Sequence, residues 1–141
     1  MTVLMRTAGA ALLGLAVVSC GGGGDGADEE AIREVFRVFF QAFEDADEEK
    51  LAGLINENCE EPEQIAETAI QSYLERGLAG NSYDVTGVTV RDISKDSAEA
   101  IPEGIVRFEG GESPLADEDS EYARFVNVDG EWKLADCNIL F

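Results

Sequence analysis

The sequence predicts an α+β domain, with three N-terminal helices packed on a curved antiparallel sheet of about four strands. Three observations lead there. Apolar residues recur at helical spacing over residues 32–43 and again over 65–74. After Asn81 the pattern changes to the alternation of half-buried strands. Asp129-Gly130 then sits between two alternating segments, a strong two-residue hairpin signal. Helices first and strands after them, rather than the two in alternation, separate α+β from α/β. At 141 residues the chain has room for one such domain.

The first twenty residues stand apart. A short start ending at Arg6 is followed by an apolar run over residues 8–18 and then by Ser19-Cys20. A basic start, about ten apolar residues and small side chains before a cut site form the layout of a secretory signal peptide, and the run is too short to span a bilayer comfortably. Val17-Val18-Ser19-Cys20 resembles the lipobox of bacterial lipoproteins, with valine where leucine is commoner. The resemblance implies diacylglyceryl transfer to the Cys20 sulfur and cleavage before it, so that residues 1–19 are the leader and Cys20 the new N-terminus. Two acyl chains, at about 0.8 kcal/mol per buried methylene, make a stable anchor where one is marginal. The expected location is therefore the cell membrane, lipid-anchored, with the domain facing the outside of the cytoplasmic membrane. Residues 20–27, mostly glycine after Cys20, read as a tether free to swing, and the domain proper is expected over 28–141.

The first helix is expected from Asp28. Ile32, Val35, Phe36, Phe39, Phe40 and Phe43 fall at i, i+3, i+4, i+7, i+8 and i+11, which sets them on one face. Asp28, Glu29 and Glu30 put negative charge where a helix N-terminus favours it. Asp47 can cap a short second helix with Leu51, Leu54 and Ile55 inward and Cys59 just past its end. Pro62 suits the first turn of a third helix reaching about Leu78, striped by Ile65, Ala69, Ile70, Tyr73 and Leu74 and ended by Gly77 and Gly80. Strands are expected over 85–93, carried by Val88 and Val90, and over 98–108, broken near Pro102 and Gly104. Residues 122–128 and 131–139 form the arms of the hairpin. The stretch 109–120, rich in glycine and acid, reads as a mobile loop.

Two segments add a resemblance to this order of elements. Phe43-Glu44-Asp45-Ala46-Asp47 ends the aromatic first helix, and Val126-Asn127-Val128-Asp129-Gly130-Glu131-Trp132-Lys133-Leu134 forms the late hairpin. Together they resemble the nuclear transport factor 2-like superfamily, the cystatin-like cone shared with SnoaL-like proteins, over almost all of residues 28–141. The resemblance implies a cone whose interior lies between the first helix and the hairpin. It implies no single activity, since the superfamily includes isomerases, dehydratases, cyclases, transport adaptors and lipoproteins without known chemistry.

Charge and cysteines narrow the classes. The formal net charge is −20, from 10 basic and 30 acidic residues. Polyanion binding depends on Lys and Arg neutralising phosphates, so nucleic acid is excluded as a partner, as is electrostatic docking on anionic lipid. The acidity serves solubility, or else points to a cationic partner or a saline habitat. With Cys20 acylated, Cys59 and Cys137 remain as one pair in an oxidising compartment, read as a disulfide, with two separate buried thiols as the alternative. No histidine and no CxxC leave zinc without its usual ligands, so no metal and no cofactor are expected. The acidic clusters at 45–49 and 117–121 lack the spacing and central glycine of a calcium loop.

Catalytic members of the resembled superfamily place Asp, His or Tyr inside the cone. Here Asp84, Asp92 and Asp136 lie in or beside strands and would serve as acid or base if buried, although solvent-facing alternation explains them equally well. The aromatic set Phe36, Phe39, Phe40, Phe43, Tyr73 and Trp132 either fills the core or lines a pocket for an apolar molecule, with Phe36, Phe40, Phe43, Tyr73 and Trp132 as the candidate pocket. Two function classes follow. One is a non-enzymatic lipoprotein domain that binds a small apolar ligand or serves an envelope protein complex. The other is a small isomerase or hydrolase-like enzyme using a buried Asp92 or Asp136.

Overall fold

The computed structural model describes residues 24–139. The expected leader, the lipidation site Cys20 and tether residues 21–23 lie outside the described residues. Three helices come first: α1 (Gly24–Asp45), α2 (Glu48–Ala52) and α3 (Pro62–Glu75). Five strands follow: β1 (Ser82–Arg91), β2 (Ser97–Phe108), β3 (Gly111–Pro114), β4 (Ala123–Val128) and β5 (Glu131–Leu134). The architecture is α+β, with the helices packed on one curled antiparallel half-barrel sheet. Its strand order is β1-β2-β4-β5, with β3 also on β2.

β2 is the spine of that sheet. One edge pairs with β1 over nearly its whole length, while the other is shared: Ser97 to Ala100 face β4 and Ile105 to Phe108 face β3. At the far side the edge of β5 is not left bare. Leu134 donates its N–H to the Leu54 carbonyl at 2.8 Å, and the Asn56 N–H returns to the Leu134 carbonyl at 3.1 Å. The chain after α2 thus satisfies backbone groups that an open edge would leave to water or to another strand.

Local chemistry sets the element ends. Asp47 accepts from the Lys50 N–H at 2.9 Å, capping α2. Pro62 occupies the first turn of α3, where a missing N–H costs nothing. Gly77, at φ 72°, closes α3 in a Schellman arrangement, its N–H on Leu74 O and the Leu78 N–H on Tyr73 O. Asp129 and Gly130, at φ 52° and 89°, make the tight turn between β4 and β5. The Gly130 N–H is also held by Asn127 Oδ1 at 2.9 Å.

Four expectations are corrected. The tether does not run to residue 27, because α1 already begins at Gly24. Once its apolar stripe has nucleated the helix, each further residue adds a hydrogen bond, which carries the helix through Gly24 and Gly26 although each costs about 1 kcal/mol relative to alanine. The stretch 109–120, expected as a mobile loop, contains β3 and a compact turn. Glu109-Gly110 turns β2 back on itself, and β3 is held by backbone pairing and one surface ion pair, Glu112 to Arg107 at 3.6 Å, with every residue exposed. In the turn, Asp117 Oδ1 accepts from the Asp119 N–H at 3.0 Å and the Ser120 hydroxyl at 3.1 Å. The third helix ends at Glu75 rather than near Leu78, at the Gly77 cap. The last strand ends at Leu134 rather than 139, where Asp136 turns back to Arg124 and Cys137 is drawn to Cys59.

The interior has two connected parts. Ile32, Val35, Phe36 and Phe40 of α1 pack on Ala98, Ala100, Phe125, Trp132 and Leu134 of the sheet. Farther along α1, Ala42 and Phe43 pack with Leu51, Ile55, Cys59, Ala66, Ala69, Ile70 and Tyr73 between the three helices. Phe39 and Tyr83 touch both parts. Edge-to-face and stacked rings run through them: Phe36 to Phe125 at 5.2 Å, Phe40 to Tyr83 at 4.9 Å and Phe43 to Tyr73 at 5.1 Å between centroids. The Trp132 indole N–H reaches Asp28 at 3.2 Å and fastens the start of α1 to the last strand.

Candidate functional site

Where α1 leaves the sheet, its aromatic face is incompletely covered. Phe36, Phe39 and Phe40 form one wall of a groove of about 330 Å³. Ala100, Ile101 and Pro102 of β2 form the floor with Ala123 and Leu134, and Leu115 and Ala116 close it from the stretch after β3. Its polar members are Ser120 and Glu121. A volume of this size lies at the small end of ligand pockets, which run about 300–1,000 Å³ and are mostly apolar. The alanines at positions 100, 116 and 123 leave space beside three phenyl rings. Leu115 is held in place by its N–H on the Gly104 carbonyl at 3.0 Å.

A larger hollow of about 530 Å³ lies elsewhere, between α2, the start of α3 and Lys133. Carboxylates line it: Glu48, Glu49, Glu57, Glu63 and Glu67. These five carboxylates sit among Ala52, Ile55 and Pro62, and the smaller groove is the better candidate for an apolar ligand because its lining is aromatic and aliphatic with a single charged residue, Glu121. Among the described residues, no group of three or more His, Cys, Asp and Glu side chains is placed to hold a metal ion.

The sequence-predicted residues divide between groove and core. Phe36 and Phe40 are on the groove wall. Phe43 and Tyr73 lie between the helices, each 1% exposed, and Trp132 is buried under α1 and directed to Asp28. Cys59 and Cys137 form a disulfide that ties the segment before α3 to the C-terminal tail. Leu115, Ala116, Ser120 and Glu121 belong to the stretch read as a loop. Leu115-Ala116, an apolar pair inside a glycine- and acid-rich run, was the signal available for them.

Two of the three aspartates lie on the surface and the third, Asp136, is half-buried. Asp84 is exposed on β1, and Asp92 is exposed in the turn after it at φ 51°, a left-handed conformation that aspartate tolerates better than most residues. Asp136 pairs with the Arg124 guanidinium, and Arg91 beside it donates to Glu99 at 2.9 Å while lying 3.7 Å over the Tyr122 ring. Alternating charges thus run across neighbouring strands, Arg91 to Glu99 and Arg124 to Asp136. No polar or charged residue is buried among the described residues.

Among the described residues, Tyr73 is the one titratable group with a large perturbation. Burial, and then its hydrogen bond with the Tyr83 hydroxyl at 3.0 Å, push its phenol well above the usual tyrosine range. Above about pH 10 the unfolded chain releases this proton while the native chain keeps it. Stability is therefore unaffected below that pH and falls as pH rises beyond it, by about 1.4 kcal/mol per unit for one proton. Comparing wild type with Tyr73→Phe isolates the effect from the lysines. The urea midpoint should fall more steeply in wild type above pH 10, and parallel curves would refute the assignment.

Comparison with solved structures agrees with this geometry. A Nostoc punctiforme protein of unknown function with a cystatin-like fold superposes with a TM-score of 0.58 at 14% identity, covering 77% of this chain and 86% of that one. A Mycobacterium tuberculosis protein of unknown function superposes with a TM-score of 0.56, also at 14% identity, covering 77% of this chain and 68% of that one. The fold is thus cystatin-like, consistent with the cone that the sequence resembles. No protein-family model matches the chain, and no curated protein matches it.

Proposed function

We propose that this chain is an extracytoplasmic lipoprotein, anchored through Cys20, whose nuclear transport factor 2-like domain binds a small apolar molecule in the groove beside Phe36, Phe39 and Phe40. The groove carries the reading: three rings and an aliphatic floor, with two polar residues in its lining, offer burial and little chemistry. At about 25 cal/mol for each square ångström of apolar surface, a small molecule gains affinity there without charge or catalysis. The surroundings of the three aspartates argue in the same direction: Asp84 and Asp92 are exposed, and Asp136, half-buried beside Phe39, Leu134 and Ile139, is already paired with Arg124, so none is the buried, unpaired carboxyl that serves as a general acid or base. The anchor rests on the leader and on Val17-Val18-Ser19-Cys20.

Two experiments test the halves separately. Cys20→Ala should release the protein from the membrane or leave it unprocessed, and intact mass of the wild type should give an acylated N-terminus at Cys20. An unmodified N-terminus at any other residue would end the lipoprotein reading. For the groove, octanol titrated into the folded chain should bind saturably and shift the fluorescence of Trp132, the single tryptophan, which packs in the same core part as the groove wall. Ala116→Phe, at the half-buried lip, should abolish that binding while leaving the melting temperature within a few degrees. Octanol binding that survives the substitution places it elsewhere.

A further inference from the structure

We infer that the groove selects the head group of its ligand: an apolar body bearing a positive charge, as in an alkyl- or arylammonium, is preferred over the same body bearing a carboxylate. The inference rests on the proposed ligand site and adds to it a rule of specificity.

The polar lip carries it. Glu121 supplies a carboxylate at the groove, and the turn immediately before it adds Asp117, Glu118 and Asp119. Nearby cations are already committed. Arg124, next to the groove residue Ala123, is paired with Asp136, and Arg91 is held by Glu99 over the ring of Tyr122. A carboxylate head would thus enter beside Glu121, with the neighbouring guanidiniums of Arg91 and Arg124 both held by acidic partners, in a chain of net charge −20. Like-charge juxtaposition of this kind discriminates even where the apolar contacts are equal. An ammonium head meets the opposite situation, because the Glu121 carboxylate at the groove is of opposite charge and pairs with it. The long-range field adds to both effects by concentrating cations near the surface. The acidic composition and the aromatic groove, separate features in the sequence, therefore act on one ligand.

The test compares three probes of one chain length, octylammonium, octanol and octanoate, titrated by calorimetry into the complete chain carrying Cys20→Ala, so that no attached lipid competes. At pH 7 and low salt, octylammonium should bind roughly tenfold tighter than octanoate, with octanol between them. Glu121→Gln should shrink that ratio by roughly threefold and leave octanol unchanged, and raising salt to about 0.5 M should shrink it as well. Ala116→Phe should remove all three. Octanoate binding as tightly as octylammonium, with octanol still bound, overturns the head-group rule and leaves the apolar site standing. Octylammonium binding that ignores Ala116→Phe also overturns it, since the cation is then collecting on the acidic surface. Failure of all three probes removes the ligand site itself, and the rule with it.

Discussion

Gly104→Ala should cost about 3 kcal/mol or more, although it adds a single methyl group. Gly104 is at φ 146°, opposite the point where the β1 and β2 pairing shifts register between Val85 and Gly87. A methyl built there collides with the Asp84 carbonyl, lying 2.9 Å from its carbon, and sits 3.0 Å from Leu115 Cδ1. The obstacle is backbone in the paired strand, so no rotamer change relieves it, and β1 and β2 must separate locally. Gly110→Ala is the control, because it shares the positive φ at 110° but has nothing within 4 Å of the added methyl. It should cost about 1–2 kcal/mol, the conformational part of the penalty alone. Urea unfolding of the two variants measures the difference directly. Equal midpoints would mean that the strand contact is not rigid. Since Gly104 also holds Leu115 through its carbonyl, the folded fraction of Gly104→Ala should bind octanol more weakly, whereas Gly110→Ala should bind it normally.

How far the sequence could be read depended on whether a side chain carried the structure. α1 was legible because Ile32, Val35, Phe36, Phe39, Phe40 and Phe43 all pack from one face, and a period of 3.6 leaves that mark in the order of residues. The tight turn at Asp129-Gly130 was legible for the converse reason, since positive φ at both residues selects for those types. β3 left no mark because Gly111 to Pro114 are held by backbone hydrogen bonds and bury no side chain. The start of α1 at Gly24 was hidden for the same reason: glycine carries no helical signature, and the turns before Asp28 need none once the stripe behind them is folded. The groove was half visible. Its aromatic wall follows from helical spacing, but whether a ring faces a groove or a filled interior depends on what lies opposite. Phe43 meets Tyr73 and is covered, whereas Phe36 and Phe40, though packed on Phe125 and Tyr83, keep space beside them where the opposing side chains include the small Ala100, Ala116 and Ala123. Only the sheet register decides that, and the register is shifted by the bulge at Thr86 and Gly87.

Reduction of the Cys59–Cys137 disulfide should have the largest effect of any change that removes no apolar contact. The two cysteines are 78 residues apart, so the bond closes a loop that spans α3 and the whole sheet. In the chain-entropy model such a loop is worth about 4.5 kcal/mol through the unfolded state, an upper figure for the loss on reduction. The native chain adds a local consequence. Cys59 is 4% exposed and packed with Leu51, Ile55 and Ile70, while Cys137 is exposed and leads into Ile139, which packs against both parts of the core. Cys137→Ala should therefore report the lost cross-link and the freed tail, and Cys59→Ala should report the same loss plus a small cavity. Because both variants remove one bond, the double variant should be no less stable than Cys59→Ala, rather than showing the sum of the single losses. Urea midpoints with and without reductant provide the check: wild type should fall to near the Cys137→Ala value on reduction, and that variant should not respond. A wild-type midpoint indifferent to reductant under conditions where free thiols are counted would show that the bond contributes nothing to the fold. Octanol binding in the reduced protein should persist below the unfolding transition, since neither cysteine nor the tail lines the groove.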